Sequence, residues 1–508
     1  METREEALEP WAQAGRQPRI AIVGAGMSGI AAVVKLRKAG YTDLVVFEKG
    51  DRVGGTWREN TYPGLSCDVP SAWYSFSFAL NPDWNYRYSY GPEIQAYMEK
   101  TASDFGVTDV VRFNTGVSDL VYDAPCWRLT TTRGETLEYD IVISAAGVLH
   151  RPAYPDIEGL DTFAGTRFHS ARWDHSVDLS GKRVGVIGTG STATQIIAEI
   201  TKRVGHMFVF QRTAQWMTPM LQKKYSEPYK RLLRRVPILR RFAYYWHFLL
   251  IGSIIANATT GNKFLQGVIS KSCKRNLEEN VSDPELRAKL TPNYQAACKR
   301  LVFCSEFYPA ISRDNAHLIT EGIERITPEG IQTEDGALHE LDVLVFATGF
   351  DPTSFILPTK VTGEDGADLA TLWDGAPRAH RGVAMPGFPN FWMIEGPTSP
   401  VGNLSLITIS ENQVDYVIAM IDRMRDEGLA AIAPRIDAYV RYNDAMRVAI
   451  KKTVWVTGGC NSWYIDKSGL PNLYPWKPMQ YLREMQQPVY DEYRLIRDVA
   501  ESAGLRAA

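Results

Sequence analysis

Arg19-Ile-Ala-Ile-Val23-Gly24-Ala-Gly26-Met27-Ser28-Gly29 is a short apolar run that breaks into glycines and continues as a helical pattern carrying Ile30, Val33, Val34 and Leu36. The order is strand, glycine turn, helix. Glycines let the backbone turn tightly and approach a pyrophosphate, which then rests on the partly positive, amide-rich start of the helix. A second apolar run, Leu44-Val-Val-Phe47, ends in Glu48, placed to accept hydrogen bonds from a ribose diol. Val142-Ile-Ser-Ala-Ala-Gly147 supplies a further strand that closes this unit, and Pro152 and Pro155 mark a stiff exit from it.

The pattern is used twice. Lys182-Arg-Val-Gly-Val-Ile187 leads into Gly188-Thr189-Gly190-Ser191-Thr192-Ala193, with Ile196, Ile197, Ile200 and Val204 on one face of the next helix. Gly24 to Glu48 and Gly188 to Arg212 both span 24 positions, so one structural slot carries opposite charges. An acid there binds a free ribose diol, whereas an arginine makes charge-assisted contacts to a 2′-phosphate. The first site therefore suits FAD and the second NADPH rather than NADH. The expected fold is α/β, with two Rossmann-like dinucleotide-binding domains and a helical insert. Residues 1–150 and 382–508 form the FAD-binding domain in this reading, 151–214 and 298–381 the NADP-binding domain, and 215–297 the insert.

A chain of 508 residues exceeds what one hydrophobic core usually organises. Its 45% hydrophobic and 22% charged residues are ordinary for a globular protein, and a formal net charge of -2 gives no sign of a nucleic-acid partner. Cys67, Cys126, Cys273, Cys298, Cys304 and Cys460 lack C-x-x-C or Cys/His spacing, which argues against a metal site and a dithiol centre and suits a reducing compartment. Met1 to Gln17 reads as a loose polar leader rather than a secretory or transit signal, so a cytoplasmic location is expected.

Within the insert, a basic run including Arg231, Arg234, Arg235, Arg240 and Arg241 precedes the apolar Phe242 to Ile251. That run is shorter than the roughly 20 residues needed to span a bilayer. Buried helices of an inserted subdomain are the expectation, with peripheral contact to an anionic membrane surface as the less favoured alternative.

Between the two units lies Phe163-Ala-Gly165-Thr-Arg-Phe-His169-Ser-Ala-Arg-Trp173-Asp174. Its spacing, F-x-G-x-x-x-H-x-x-x-W-D, resembles the fingerprint of type I Baeyer-Villiger monooxygenases, flavoenzymes that use NADPH and dioxygen to turn ketones into esters or lactones. Gly54-Gly55-Thr56-Trp57, Tyr62-Pro63-Gly64 and Asp68 resemble a second motif of that family. Further matches, in family order, are Gln211-Arg212-Thr213, Lys299-Arg300, Ala347-Thr-Gly349-Phe-Asp351, Gly396-Pro-Thr-Ser-Pro400 and Asn461-Ser-Trp463.

The resemblance implies that Glu48 and Trp57 contact FAD alongside Gly55 and Thr56, that Ser28 lies at the pyrophosphate, and that Tyr74 and Val117 border the cofactor. It also implies that Lys299 meets the NADP phosphate, that Arg300 faces the flavin with Asp68 orienting it, and that Leu406 borders the substrate. Asn403 to Met420 would form a helix over the flavin. Trp463 would reach the nicotinamide ribose, or else stand as an exposed loop tryptophan. Leu301 departs from the pattern, since many relatives have proline there, and this bears on substrate more than on cofactors.

In the chemistry so implied, reduced FAD and dioxygen form a C4a-peroxide that attacks a ketone only as an anion. A guanidinium keeps its proton near neutral pH, so Arg300 can hold that charge. The partners are then a small ketone and dioxygen, with no obligate protein partner. Oxidation of sulfur or nitrogen, or electron transfer to a partner protein, are the rival readings.

Overall fold

The computed structural model describes residues 9–400 and 404–498, the side chains of Ile251 and Ser253 excepted. Two five-stranded parallel sheets carry the architecture. The first runs in the order Phe391–Met393, Ile141–Ser144, Ile20–Val23, Leu44–Phe47, Val111–Arg112. The second runs Thr166–His169, Val343–Phe346, Arg183–Ile187, His206–Phe210, Ala316–Ile319. Each centres on the strand that precedes a glycine turn, with the strand ending at Glu48 or before Arg212 on one side and a returning strand on the other. Ile20–Val23 and Val343–Phe346 are buried throughout, as expected for parallel strands covered on both faces.

The duplication reaches single atoms. A Cβ on Gly24 (φ +107°) would sit 2.6 Å from the Ala145 carbonyl oxygen, and one on Gly188 (φ +113°) 2.6 Å from that of Ala347. In each unit the glycine turn crosses so close to the returning strand that only glycine fits.

The chain then returns to the first sheet, whose outermost strand is Phe391–Met393, while Ile450, Trp455, Tyr464 and Leu473 pack further on against Trp216, Tyr294 and Leu301. The helix Leu406–Glu427 packs on Met27–Lys38 through a stripe that includes Val414, Val417 and Ile421. This helix starts three residues later and ends seven later than the sequence suggests, and Asn403 lies outside the described residues. Tyr62-Pro63-Gly64 docks the first unit on the second: the Tyr62 hydroxyl donates to Gln195 Oε1 (3.1 Å), and a Cβ on Gly64 would lie 2.7 Å from the Gln195 carbonyl oxygen.

Two expectations change. The insert is helical, with helices at Glu227–Arg235, Pro237–His247, Ser253–Thr259, Lys263–Asn280 and Pro284–Lys289, but its first members lie at the surface instead of being buried. Glu227–Arg235 buries only Lys230, and Pro237–His247 only Tyr244, because a single stripe reaches the core. The cysteines are not all scattered thiols either: Cys298 and Cys460 form a disulfide across 162 residues, a separation that no local spacing rule can register.

Glu395, just past the outer strand of the first sheet, is fully buried. Its Oε1 accepts from Ser410 Oγ (2.9 Å), which is itself 2.9 Å from Ser28 Oγ, and among the described residues no cation pairs with it. Burial pushes its pKa up to about 8. A folded carboxyl that keeps its proton above its unfolded pKa adds stability at low pH, and that contribution is lost as pH rises from about 5 through 8. Melting temperatures of wild type and Glu395→Gln across that window should converge at acid pH, with the wild type falling more steeply towards alkaline pH. Parallel curves would show that the carboxyl is not held neutral.

Candidate active site

Both glycine turns open helices, Met27–Lys38 and Ser191–Ile200, whose first turns carry no acid and no side-chain cap. Their amides are free to face an anion. Gly55 lies against the first turn, with its Cβ position 2.9 Å from the Gly26 Cα, and Thr56 begins the short helix Thr56–Glu59. Around Gly190, its chain neighbours apart, no atom of the described residues comes within 4 Å of where a Cβ would be. These cradles fit two pyrophosphates.

Glu48 is buried at the end of its strand. One carboxylate oxygen accepts from the Ala25 amide (2.8 Å), the other from the Gly50 amide (2.7 Å), and Arg58 pairs with it at 2.8 Å. Arg58, which the sequence reading passed over, thus fixes the acid. Ser28 directs its hydroxyl to Ser410 and away from the turn, so its backbone amide is what remains for a phosphate. The Trp57 indole donates to the Tyr74 hydroxyl (2.9 Å), and the rings meet edge to face at 5.7 Å. Val117 opens the strand Val117–Asp123, two residues past Thr115, whose amide donates to the Glu48 carbonyl.

In the second unit the charged slot is arranged differently. Arg212 is exposed, and Lys299 comes near enough for the two positive charges to interact. Burial and then Arg212 lower the lysine pKa, and its ammonium lies 5.1 Å from the Tyr294 ring centroid. Among the described residues neither cation forms an ion pair, so the pair is suited to an anion such as a 2′-phosphate. Thr189 secures the turn by donating from Oγ1 to the Thr213 carbonyl (3.1 Å), and Ser191 and Thr192 follow it on the helix.

Arg300 follows Lys299 into a cavity. Its Nε and one terminal nitrogen donate to both oxygens of Asp68, at 2.8–3.1 Å. Asp68 raises the guanidinium pKa well beyond its already high value. The cavity is lined by Val69, Pro70, Trp73, Leu301, Phe303, Leu404 and Trp455 besides this pair. Tyr464 closes one side with its hydroxyl in hydrogen-bonding reach of Arg300. The insert adds Gly252, Ile255 and Thr259.

Two placements differ from the family expectation. Leu404 lines the cavity, whereas Leu406 packs against the core of the first unit. Trp455 also lines it, next to Val456, which is 39% exposed. Trp463 is 42% exposed and packs at a tilt on Tyr464 at 4.3 Å, so it stands as the exposed loop tryptophan and the next residue, Tyr464, reaches the cavity. In a loop, no sequence signal separates the direction of a tryptophan from that of the tyrosine that follows it.

The F-x-G-x-x-x-H-x-x-x-W-D stretch lies away from the cavity and forms a joint. Thr166–His169 is the outer strand of the second sheet; Gly165 has no room for a Cβ beside the Asp342 carbonyl oxygen (2.6 Å). His169 is wholly buried; its Nδ1 accepts from the Ala171 amide (3.1 Å), and burial lowers its pKa to about 4. Its ring meets Phe350 at 5.9 Å, where residues 151–153 and 349–351, the two crossings between units, lie side by side. Trp173 packs edge to face on Phe168 at 4.9 Å, and Asp174 accepts from the Ser176 amide at 2.9 Å.

Comparison with known proteins agrees with this arrangement. The family described as FMO-like, flavin-binding monooxygenase-like, matches residues 17–361. An uncharacterised monooxygenase of Mycobacterium tuberculosis is 44% identical over 97% of this chain and 99% of its own. A Baeyer-Villiger monooxygenase of Streptomyces coelicolor is 40% identical over 96% of this chain and 95% of its own. The crystal structure of OTEMO in complex with FAD and NADP superposes with a TM-score of 0.84 at 27% identity, covering 94% of this chain and all of that one. The chain therefore belongs to the flavin-binding monooxygenase-like family, among its Baeyer-Villiger monooxygenases.

Proposed function

We propose that the chain is an NADPH- and FAD-dependent Baeyer-Villiger monooxygenase that inserts one oxygen atom of dioxygen next to the carbonyl of a ketone, giving an ester or lactone and water. The observation that carries this reading is the Asp68-bound Arg300 guanidinium in a largely apolar cavity, on a segment whose preceding residue, Lys299, belongs to the second nucleotide cradle. FAD, once reduced by NADPH, supplies the activated oxygen.

The remaining chemistry belongs to the chain. Arg300 presents a fixed positive charge to negative charge that develops on oxygen, and cannot surrender its proton to it. Asp68 takes two of the guanidinium donors, which sets the plane of the group and leaves its other nitrogen for the reacting oxygen. Val69, Trp73, Phe303 and Leu404 exclude water and favour an apolar substrate. Arg212 and Lys299 would hold the 2′-phosphate, and Glu48 the FAD ribose. A cytoplasmic location, where NADPH is supplied, goes with this reading.

Incubating the holoenzyme with NADPH and a panel of cyclic, linear and aryl ketones should give esters or lactones by mass spectrometry; NADPH consumption yielding only hydrogen peroxide would sink the proposal. Arg300→Ala should cut ester formation by about 10²–10³ while flavin reduction by NADPH survives. Asp68→Asn should retain the cavity shape yet divert NADPH consumption to hydrogen peroxide, because the guanidinium loses its anchor; unchanged coupling would remove its orienting role. Arg212→Ala should raise KM for NADPH about tenfold or more and leave that for NADH unchanged, since a single charge-assisted contact to phosphate is worth about 1.5–3 kcal/mol.

A further inference from the structure

The apolar part of the insert has two faces. Tyr244, Phe248, Gly252, Ile255 and Thr259 point inward: the Tyr244 hydroxyl is 3.4 Å from Thr408 Oγ1, Phe248 meets Trp73 edge to face at 5.9 Å, and the last three line the cavity. Ile238, Phe242, Trp246, Leu250 and Ile254 recur every four residues on the other side and are 39–66% exposed. Phe242 and Trp246 stack at 5.9 Å, and Tyr245 and Leu249 widen the stripe. From Ile238 to Ile254 it extends about 24 Å along the helical axis. A helix apolar on both sides normally has both covered; here, among the described residues, the outer side is left to solvent.

Charge identifies what covers it. Residues 221–275 contain twelve lysines and arginines and one acid, Glu227, in a chain whose formal net charge is -2. Arg241 is exposed on the same helix as the stripe, and Arg231 and Arg235 are exposed on the helix before it, where Arg234 pairs with Asp83. A second copy of the chain docked by a two-fold axis would set this basic zone against itself. An anionic bilayer satisfies both features at once, taking the aromatic and aliphatic side chains into its interface and pairing the arginines with headgroup phosphates. No described helix is long and apolar enough to cross a membrane, which restricts the contact to the surface.

We propose that the outer face of Pro237–Thr259 docks on an anionic lipid surface. Because the inner face of the same segment lines the cavity, a lipophilic substrate dissolved in the bilayer meets the enzyme one helix away from Arg300. This second consequence rests on the Baeyer-Villiger reading; the docking itself does not.

Flotation of the FAD-loaded full-length enzyme with vesicles tests the docking. The wild type should float with equimolar phosphatidylcholine and phosphatidylglycerol, less with phosphatidylcholine alone, and less with added salt. Phe242→Glu/Trp246→Glu and, separately, Arg235→Glu/Arg241→Glu should weaken vesicle binding about tenfold or more while retaining the flavin absorbance spectrum. The aromatic pair should also slow oxidation of a long-chain ketone held in vesicles without changing the rate on a short water-soluble one. Wild-type enzyme that never floats overturns the proposal, as does a dimer that the aromatic variant converts to monomer while vesicle binding is absent, which would make the face a contact between copies. Failure to oxidise either ketone would count against the enzymatic reading and leave the flotation result standing.

Discussion

The ion pair between Asp68 and Arg300 joins side chains 232 residues apart in sequence, and the surrounding structure can be understood as what keeps them together. Asp68 stands four residues beyond Gly64, whose close approach to Gln195 pins its loop to the second unit. Arg300 stands two residues beyond Cys298, which the disulfide ties to the segment carrying Tyr464. Each partner is thus held by a contact that crosses the molecule. Neither sheet alone could bring them into register.

The energetics favour geometry over stability as the purpose of this pair. Two unit charges about 4 Å apart attract by about 4 kcal/mol at the effective dielectric of a protein surface. Drying both groups offsets much of that, and apolar replacements of buried pairs are often no less stable. Arg300 keeps 33% of its side-chain surface accessible and Asp68 20%, so screening reduces the net gain further. What survives is direction: a bidentate carboxylate fixes the guanidinium plane, which a hydrated arginine on a flexible stem would not maintain.

How much of this could be read in advance depends on the range of the interaction responsible. The doubled strand, glycine turn and helix is legible because its periodicity and its glycines are local, and the equal 24-residue spacing to Glu48 and Arg212 carries the comparison between units. The family motifs drew Asp68 and Arg300 to one site across the chain, but not the contacts that hold them there. Local patterns could not foresee Cys298 paired with Cys460, or Tyr464 turned inward in place of Trp463. Leu404 and Leu406 are alike in type and two residues apart; which one faces the cavity depends on where the helix begins, after Ser405. The insert misled for a different reason. An apolar run signals a need for cover without saying what supplies it, so burial within the chain and contact with something outside have the same sequence signature.

The two charged slots also differ in how complete they are. Glu48 is buried, with both oxygens already held by the Ala25 and Gly50 amides and by Arg58, so the geometry with which it would meet a ribose exists before any ligand arrives. Binding there orders little that is not already ordered, which favours a tightly retained cofactor. Arg212 is exposed and its charge is opposed by that of Lys299; bringing like charges together costs free energy that a 2′-phosphate would release. A site strained without its ligand and open to solvent suits a molecule that arrives, reacts and leaves. In the proposed reading, the asymmetry between a finished acidic slot and an unfinished basic one suits a resident cofactor in the first unit and an exchanging reductant in the second.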